Sequence, residues 1–263
     1  MIVGAVMTPT FLPDVTASLD FWRISIDKFI GPTGVPVVEA QCRAAFDAVG
    51  AAAFVPFATL GQVTGASPCA FVTRQADGEL IFNVPSVNQP GTLATSGLDL
   101  QVSAQHEVSD LLGESGDWGA LDLNLAVEWL TEFRSNSGTS FKGQIDISSP
   151  AVFATADMRP NYRFTTRLGY TYGDWRGVLT WTEIGTVVDN ATGLGVNVRP
   201  YDKVDLAIKW NITDQYSADF IVNNLFDVNP PLGPYSLAAG INTFAETYDV
   251  LGTQMFIGLT AKL

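Results

Sequence analysis

Taken two residues at a time, the chain sorts its side chains onto two faces. From Trp118 to Phe133 one face carries Gly119, Leu121, Leu123, Leu125, Val127, Trp129, Thr131 and Phe133. The other carries Ala120, Asp122, Asn124, Ala126, Glu128, Leu130 and Glu132. A period of two marks a strand, because successive Cβ atoms point to opposite sides of a pleated chain. The alternation returns at Gly97 to Glu107, where Leu98, Leu100, Val102 and Ala104 oppose Asp99, Gln101, Ser103 and Gln105. It returns again at Tyr162 to Tyr172 and from Lys203 to Ile212. At Phe21-Trp22 it changes phase: Leu19 and Phe21 give way to Trp22, Ile24 and Ile26, and a β-bulge is expected there.

The pattern predicts nine strands, at 1–9, 15–30, 92–107, 118–134, 160–172, 175–188, 200–212, 215–226 and 246–262. The connectors alternate in length. Thr10–Asp14, Val108–Asp117, Gly173-Asp174 and Thr213-Asp214 are short, whereas Gly31–Gly91, Ser135–Arg159, Gly185–Arg199 and Asp227–Ala245 are long. Strands well beyond the usual five or six residues, with short turns at one end and long loops at the other, fit an all-β transmembrane antiparallel barrel better than a soluble sandwich. In lipid every backbone N–H and C=O must be paired, so a sheet spans only by closing, with its apolar face to lipid and its polar face inward. Trp22, Trp129, Phe133, Tyr162, Tyr172, Trp175, Tyr201, Trp210, Tyr216 and Phe226 fall near strand ends, where an interfacial aromatic girdle is expected.

Composition then makes sense. Charged residues are only 16% of the 263, and mean hydropathy is +0.19. The stretch from Ala48 to Thr73 has no charge, but its Gly and Pro residues make it an apolar loop rather than a spanning helix. Met1 to Ala5 lacks the basic start of a signal peptide. With 14 Lys and Arg against 27 Asp and Glu, the net charge of −13 argues against a nucleic-acid partner.

Candidate chemistry is sparse. Cys42 and Cys69 both lie in the longest loop, and an even count there favours a disulfide, worth roughly 3 kcal/mol by loop closure; two free thiols are the alternative. His106, the one histidine, sits at an apolar-face position near a short turn and reads as interfacial rather than catalytic. Ser25-Ile26-Asp27-Lys28 matches S-x-x-K, but positions three apart share a face on a helix and not on a strand. No metal-ligand spacing and no phosphate loop is present, so neither an enzyme nor a cofactor is expected. Asp99, Asp122, Glu128 and Asp205 read as a solvated interior that could also shape ligand passage.

Five short signatures, in order, give the chain a family resemblance. They are Asp20-Phe21-Trp22-Arg23-Ile24-Ser25-Ile26-Asp27, then Asn88 with Thr92 to Asp99 including Gly97, and Tyr201-Asp202-Lys203-Val204-Asp205. Asn223-Asn224-Leu225-Phe226-Asp227 with Pro230-Pro231, and Tyr248-Asp249-Val250-Leu251-Gly252, complete the set. Together they resemble the C-terminal part of the β-barrel of TonB-dependent outer-membrane receptors. Thr253 stands where that family often has Arg, and Leu263 where it usually ends on an aromatic residue. Neither the plug domain nor the TonB-contact segment is recognisable. Such a receptor has about 22 strands, so residues 1–263 are expected to be a C-terminal portion of a barrel, with loop 31–91 extracellular.

The resemblance implies a bacterial outer-membrane location and lipid and the barrel assembly machinery as partners. TonB and a plug domain would join them in the complete receptor. The implied function is uptake of a siderophore, a cofactor or a glycan without covalent chemistry; the ligand-binding residues stay unknown. A passive pore and a secreted all-β adhesin remain as alternatives. The pore needs an even strand number, and the adhesin needs solubility without detergent.

Overall fold

The computed structural model describes residues 1–12, 14–32, 35–49, 69, 72–74, 80–82, 86–88, 91–113, 115–134, 142–146, 157–189, 195–233, 243–245 and 247–262. Nine strands form one sheet, in sequence order: β1 (Ile2–Met7), β2 (Val15–Asp27), β3 (Thr92–Glu107), β4 (Ala120–Arg134), β5 (Tyr162–Tyr172), β6 (Trp175–Ile184), β7 (Tyr201–Asn211), β8 (Tyr216–Asn223) and β9 (Gln254–Ala261). Every neighbouring pair is antiparallel, and β1 and β9 are the free edges, so the sheet is open. Among the described residues no helix is long and apolar enough to cross a membrane.

The register extends the sequence alternation across the sheet. Ala104, Leu123, Leu168, Leu179, Leu206, Val222 and Met255 are successive cross-strand partners, an unbroken apolar row over seven strands. Ser103, Asn124, Arg167, Thr180 and Asp205 form the polar row beside it, on the other face. Among the described residues nothing covers the large side chains on the apolar face: Trp129, Leu168, Tyr170, Trp175, Trp181 and Leu259 are all exposed. At the short-turn end Trp175 stacks on Trp210, with centroids 4.9 Å apart, and the Tyr170 hydroxyl donates to the Trp118 carbonyl. His106 is on this face too, its Nδ1 3.2 Å from Asp14.

The phase change in β2 has a different cause from the one expected. The β2–β3 register runs unbroken from Val15↔Ala104 to Asp27↔Thr92, so no bulge lies at Phe21-Trp22. Trp22, Ile24 and Ile26 instead face the polar side, continuing from Ser18 and Asp20, while Arg23, Ser25 and Asp27 face the other. Polarity swaps sides toward the long-loop end, where an outward side chain would meet headgroups and water rather than hydrocarbon. The irregularity falls between β3 and β4 at Ser96/Gly97, which leaves Thr131 as the extra residue; its hydroxyl bonds Ser96 at 2.9 Å. That bulge turns Phe133 to the polar face and Glu132 away from it. Trp22 and Phe133 therefore leave the outer girdle for the polar face, and Tyr201 lies there too, in step with Lys203 and Asp205 on β7.

Several strand ends also move. Residues 247–253 are not strand, and β9 begins at Gln254. The expected 175–188 strand stops at Ile184, and Val187–Asp189 pairs with Val196–Val198 as a separate ribbon. The connector after β3 holds a one-turn helix, Val108–Leu112, closed by left-handed Gly113. The longest loop holds a helix, α1 (Val35–Val49), and two ribbons, Ile30–Pro32 with Ser86–Asn88 and Val72–Arg74 with Leu80–Phe82. Most of the uncharged stretch, 50–68, lies outside the described residues.

In α1, Val38 and Cys42 are one turn apart and both buried. Cys42 is bonded to Cys69, with Cα atoms 4.5 Å apart, and Val72 packs against the pair. Maleimide labelling without reductant is expected to find no reactive thiol, and reduction to expose two; labelling of both cysteines beforehand would refute the bond. Leu123→Arg, on the apolar face, is expected to destabilise the protein in bilayers by about 2–4 kcal/mol, as for a mid-depth outward charge. Asn124→Arg, one residue on and on the polar face, is expected to be near neutral in the same urea titration.

Candidate functional site

Two structured regions occupy the polar face toward the long loops. The first is built where β2, β3 and β4 lie side by side. Asp20 pairs with Asp99 and Asp99 with Glu128, so three carboxylates sit on adjacent strands in one row, with Arg163 next in line on β5. Like charges directly opposed repel, and the fold answers at the centre: Trp22 Nε1 donates to Asp99 at 3.0 Å. Two glycines make room. A Cβ on Gly4 would collide with the Asp20 carboxylate, and one on Gly97 would lie 2.5 Å from the Trp22 ring. An open cavity of about 380 Å³ lies here, bounded by Trp22, Asp99, Glu128, Phe133, Arg159 and Arg163. The Arg159 guanidinium sits 3.6 Å from the Phe133 ring centroid, a cation–π contact.

The second region joins β7, the turn after β8 and the last long loop. Asn224 is fully buried in the left-handed conformation, φ 52°, which asparagine tolerates better than most residues. Its amide makes both bonds to the Val228 backbone: Oδ1 accepts from the N–H at 2.8 Å and Nδ2 donates to the carbonyl at 3.0 Å. Its own N–H donates to Asp205 at 2.8 Å, and Leu225 N–H donates to the Val204 carbonyl. Thr253 closes the turn from the far side. Its hydroxyl donates to the Asn224 carbonyl at 2.7 Å and its N–H to Asp227 at 3.2 Å, beside left-handed Gly252. Phe226 stays exposed.

Around this turn Lys203 lies 3.5 Å from Asp205 and 3.3 Å from Asp249. Tyr201 and Tyr248 meet edge to face at 5.2 Å, and with Ile184, Val187, Val198 and Phe244 they form a buried apolar cluster. The last two long loops thus fold back onto the sheet. The Tyr248 hydroxyl is buried without a hydrogen-bond partner among the described residues, and that burial pushes its pKa up to about 12 against the pull of Arg163 and Arg199.

The signature residues separate between these regions. Asp20, Gly97 and Asp99 belong to the first. Tyr201, Asp205, Asn224, Leu225, Asp227, Tyr248, Asp249 and Gly252 belong to the second, with Phe226 at its surface. Cys42 and Cys69 are in neither. Asp122, on the polar face nearer the short turns, is held by Arg176 at 2.8 Å. Alternation along 162–172 puts Arg163 on the polar face, but sequence reasoning missed Arg159, Arg199 and Phe244. Each acts across long chain separations and leaves no spacing signal. Lys203 was legible, being two residues from Asp205 on one strand. Among the described residues no group of three or more His, Cys, Asp or Glu could hold a metal ion.

These contacts make the second region a loop lock. Asn224→Ala removes two buried bonds and strains the left-handed position, an expected loss of about 1–3 kcal/mol. The measurement is protease cleavage within 224–253 in detergent-solubilised protein, which is expected to speed up. Asn229→Ala, at an exposed neighbour, is expected to leave it unchanged.

The family described as TonB dependent receptor-like, beta-barrel matches residues 3–225. No curated protein matches by sequence. Solved structures share the fold. A mutant of the ferric enterobactin receptor PfeA of Pseudomonas aeruginosa is 16% identical, covering 100% of this chain and 30% of its own, with a TM-score of 0.53. The siderophore receptor PirA of Acinetobacter baumannii is 14% identical over 100% of this chain and 31% of its own, with a TM-score of 0.54. The FrpB iron transporter of Neisseria meningitidis gives 13%, 100%, 30% and 0.54. The chain therefore spans somewhat under a third of these proteins, and the family match over most of its length shows that it belongs to the TonB-dependent receptor-like β-barrel family.

Proposed function

We propose that the chain forms part of the wall of an outer-membrane receptor that imports a scarce ligand. The observation that carries this reading is the division of one nine-stranded antiparallel sheet into two unlike faces. One is a continuous apolar row fringed by aromatic residues. The other is polar, and its long-loop end is roofed by loops locked onto it. The apolar face would meet lipid and the polar face the lumen. Loop 31–91, stapled by Cys42–Cys69, would stand outside the cell with the other long loops.

The ligand would enter at the loop side, where the cavity of about 380 Å³ combines aromatic rings, carboxylates and guanidinium groups. The resemblance implies a siderophore, a cofactor or a glycan, and the siderophore and iron receptors among the fold relatives put a chelated metal first. In this reading TonB and a plug domain supply the energised step, the assembly machinery inserts the barrel, and no bond of the ligand is made or broken.

A chimera carrying this chain in place of the matched 30% of PfeA tests the wall assignment. It is expected to fractionate with outer membranes and to run faster unheated than boiled in detergent gels. The chain alone is expected to give no TonB-dependent growth of a receptor-deficient strain on ferric enterobactin. Recovery of the chain as a water-soluble protein without detergent, or complementation by the chain alone, would defeat the reading.

A further inference from the structure

The charges on the polar face are sorted by strand. Every charged residue there on β2, β3 and β4 is an acid, and every one on β5 and β6 is an arginine: Arg163, Arg167 and Arg176. The boundary runs between β4 and β5, in the interior of the sheet, where Glu128 is the cross-strand partner of Arg163. Toward the short turns the chain closes this boundary itself. Asp122 reaches over β5 to Arg176, with contacts of 2.8 and 3.1 Å, and a Cβ on Gly169 beneath them would collide with the carboxylate. Toward the long loops the boundary stays open. Glu128 and Arg163 are both exposed, and neither makes an ion pair or a side-chain hydrogen bond among the described residues. Opposite charges on directly opposed residues attract, yet these two line the cavity of about 380 Å³ instead of closing on each other. Just beyond them the same face turns apolar. Ile24 pairs with Thr95 at the cavity wall, and Ile24 and Ile26 are exposed.

We propose that the ligand of this cavity is a zwitterion on an apolar body, its cationic group taken by Glu128 and its anionic group by Arg163. Adjacent strands lie about 5 Å apart, and that distance sets the spacing of the two charges. Of the two carboxylates lining the cavity, Asp99 already accepts from Trp22, so Glu128 is the one left to a ligand. The apolar body rests on Trp22 and Ile24. Acids on one side and arginines on the other make a field across the face, which turns a dipolar ligand into this orientation as it approaches. A purely anionic ligand meets Asp99 and Glu128, and a purely cationic one meets Arg159 and Arg163, so like charge disfavours each on one side. The inference rests on the membrane-wall reading and adds to it the charge pattern of the ligand.

The test uses four forms of one probe: glycyl-tryptophan, its N-acetyl form, its C-terminal amide, and the form with both ends blocked. Each is dialysed to equilibrium against the full chain in nonionic detergent micelles, with empty micelles as the blank. The free dipeptide is expected to bind about tenfold more tightly than either singly blocked form, the worth of one charge-assisted hydrogen bond. Glu128→Gln is expected to abolish the difference between the free dipeptide and its N-acetyl form. Arg163→Gln is expected to abolish the difference between the free dipeptide and its amide. Ser217→Ala, on the same face at β8, is expected to change neither. Equal binding of the four forms by the unmutated chain would overturn the proposal, whether or not the variants fold. So would a charge preference that survives either glutamine substitution. Failure of the wall reading itself looks different: the chain would stay in solution without detergent.

Discussion

The structure depends on one constraint, that no backbone N–H or C=O facing hydrocarbon can go without a partner. A helix meets it within a segment; a strand meets it only through its neighbours. The consequence is visible throughout this chain. Long strands pair in chain order. Leu123, Leu168, Leu179 and Leu206 align into one apolar row because each is the cross-strand partner of the next. The polar row beside it follows from the same register. Shifting one strand by a single residue would put leucines on the polar face and arginines on the apolar one, so backbone pairing and side-chain alternation enforce each other.

Where the lipid constraint ends, the design changes. Toward the long loops the polarity of β2 swaps sides, and Trp22 turns inward to bond Asp99. A bulge in β4 sends Phe133 the same way, under Arg159. Farther round, Asn224 and Thr253 knit the end of β8 to the start of β9, while Tyr201 and Tyr248 hold the last loop against the sheet. The signature residues serve this architecture. They place a turn, open space for a ring or neutralise a carboxylate, which explains why they say so little about the ligand.

Much of the fold was legible because strand alternation is local. The nine segments, their two faces and the unequal connectors follow from neighbours two residues apart. Features set by distant partners were not legible. The phase change at Phe21-Trp22 looks the same in sequence whether it marks a bulge or a change of polarity along a regular strand, and only the unbroken register with β3 separates the two. Tyr201 resembled a girdle residue until the last loop brought Tyr248 onto it. Helix α1 did leave a local trace, since Glu39, Arg43 and Asp47 recur every four residues among its apolar positions, the spacing of one helix face.

By itself the sequence determined the strands, the chemistry of their two faces and the family, since all of these are written in residue type and short spacing. The tertiary structure alone decided which carboxylates stand in a row, which aromatics turn inward and how the loops are locked. Those properties depend on pairing between segments far apart in the chain, and a strand acquires a partner, a register and a direction relative to its neighbours only once the sheet has formed.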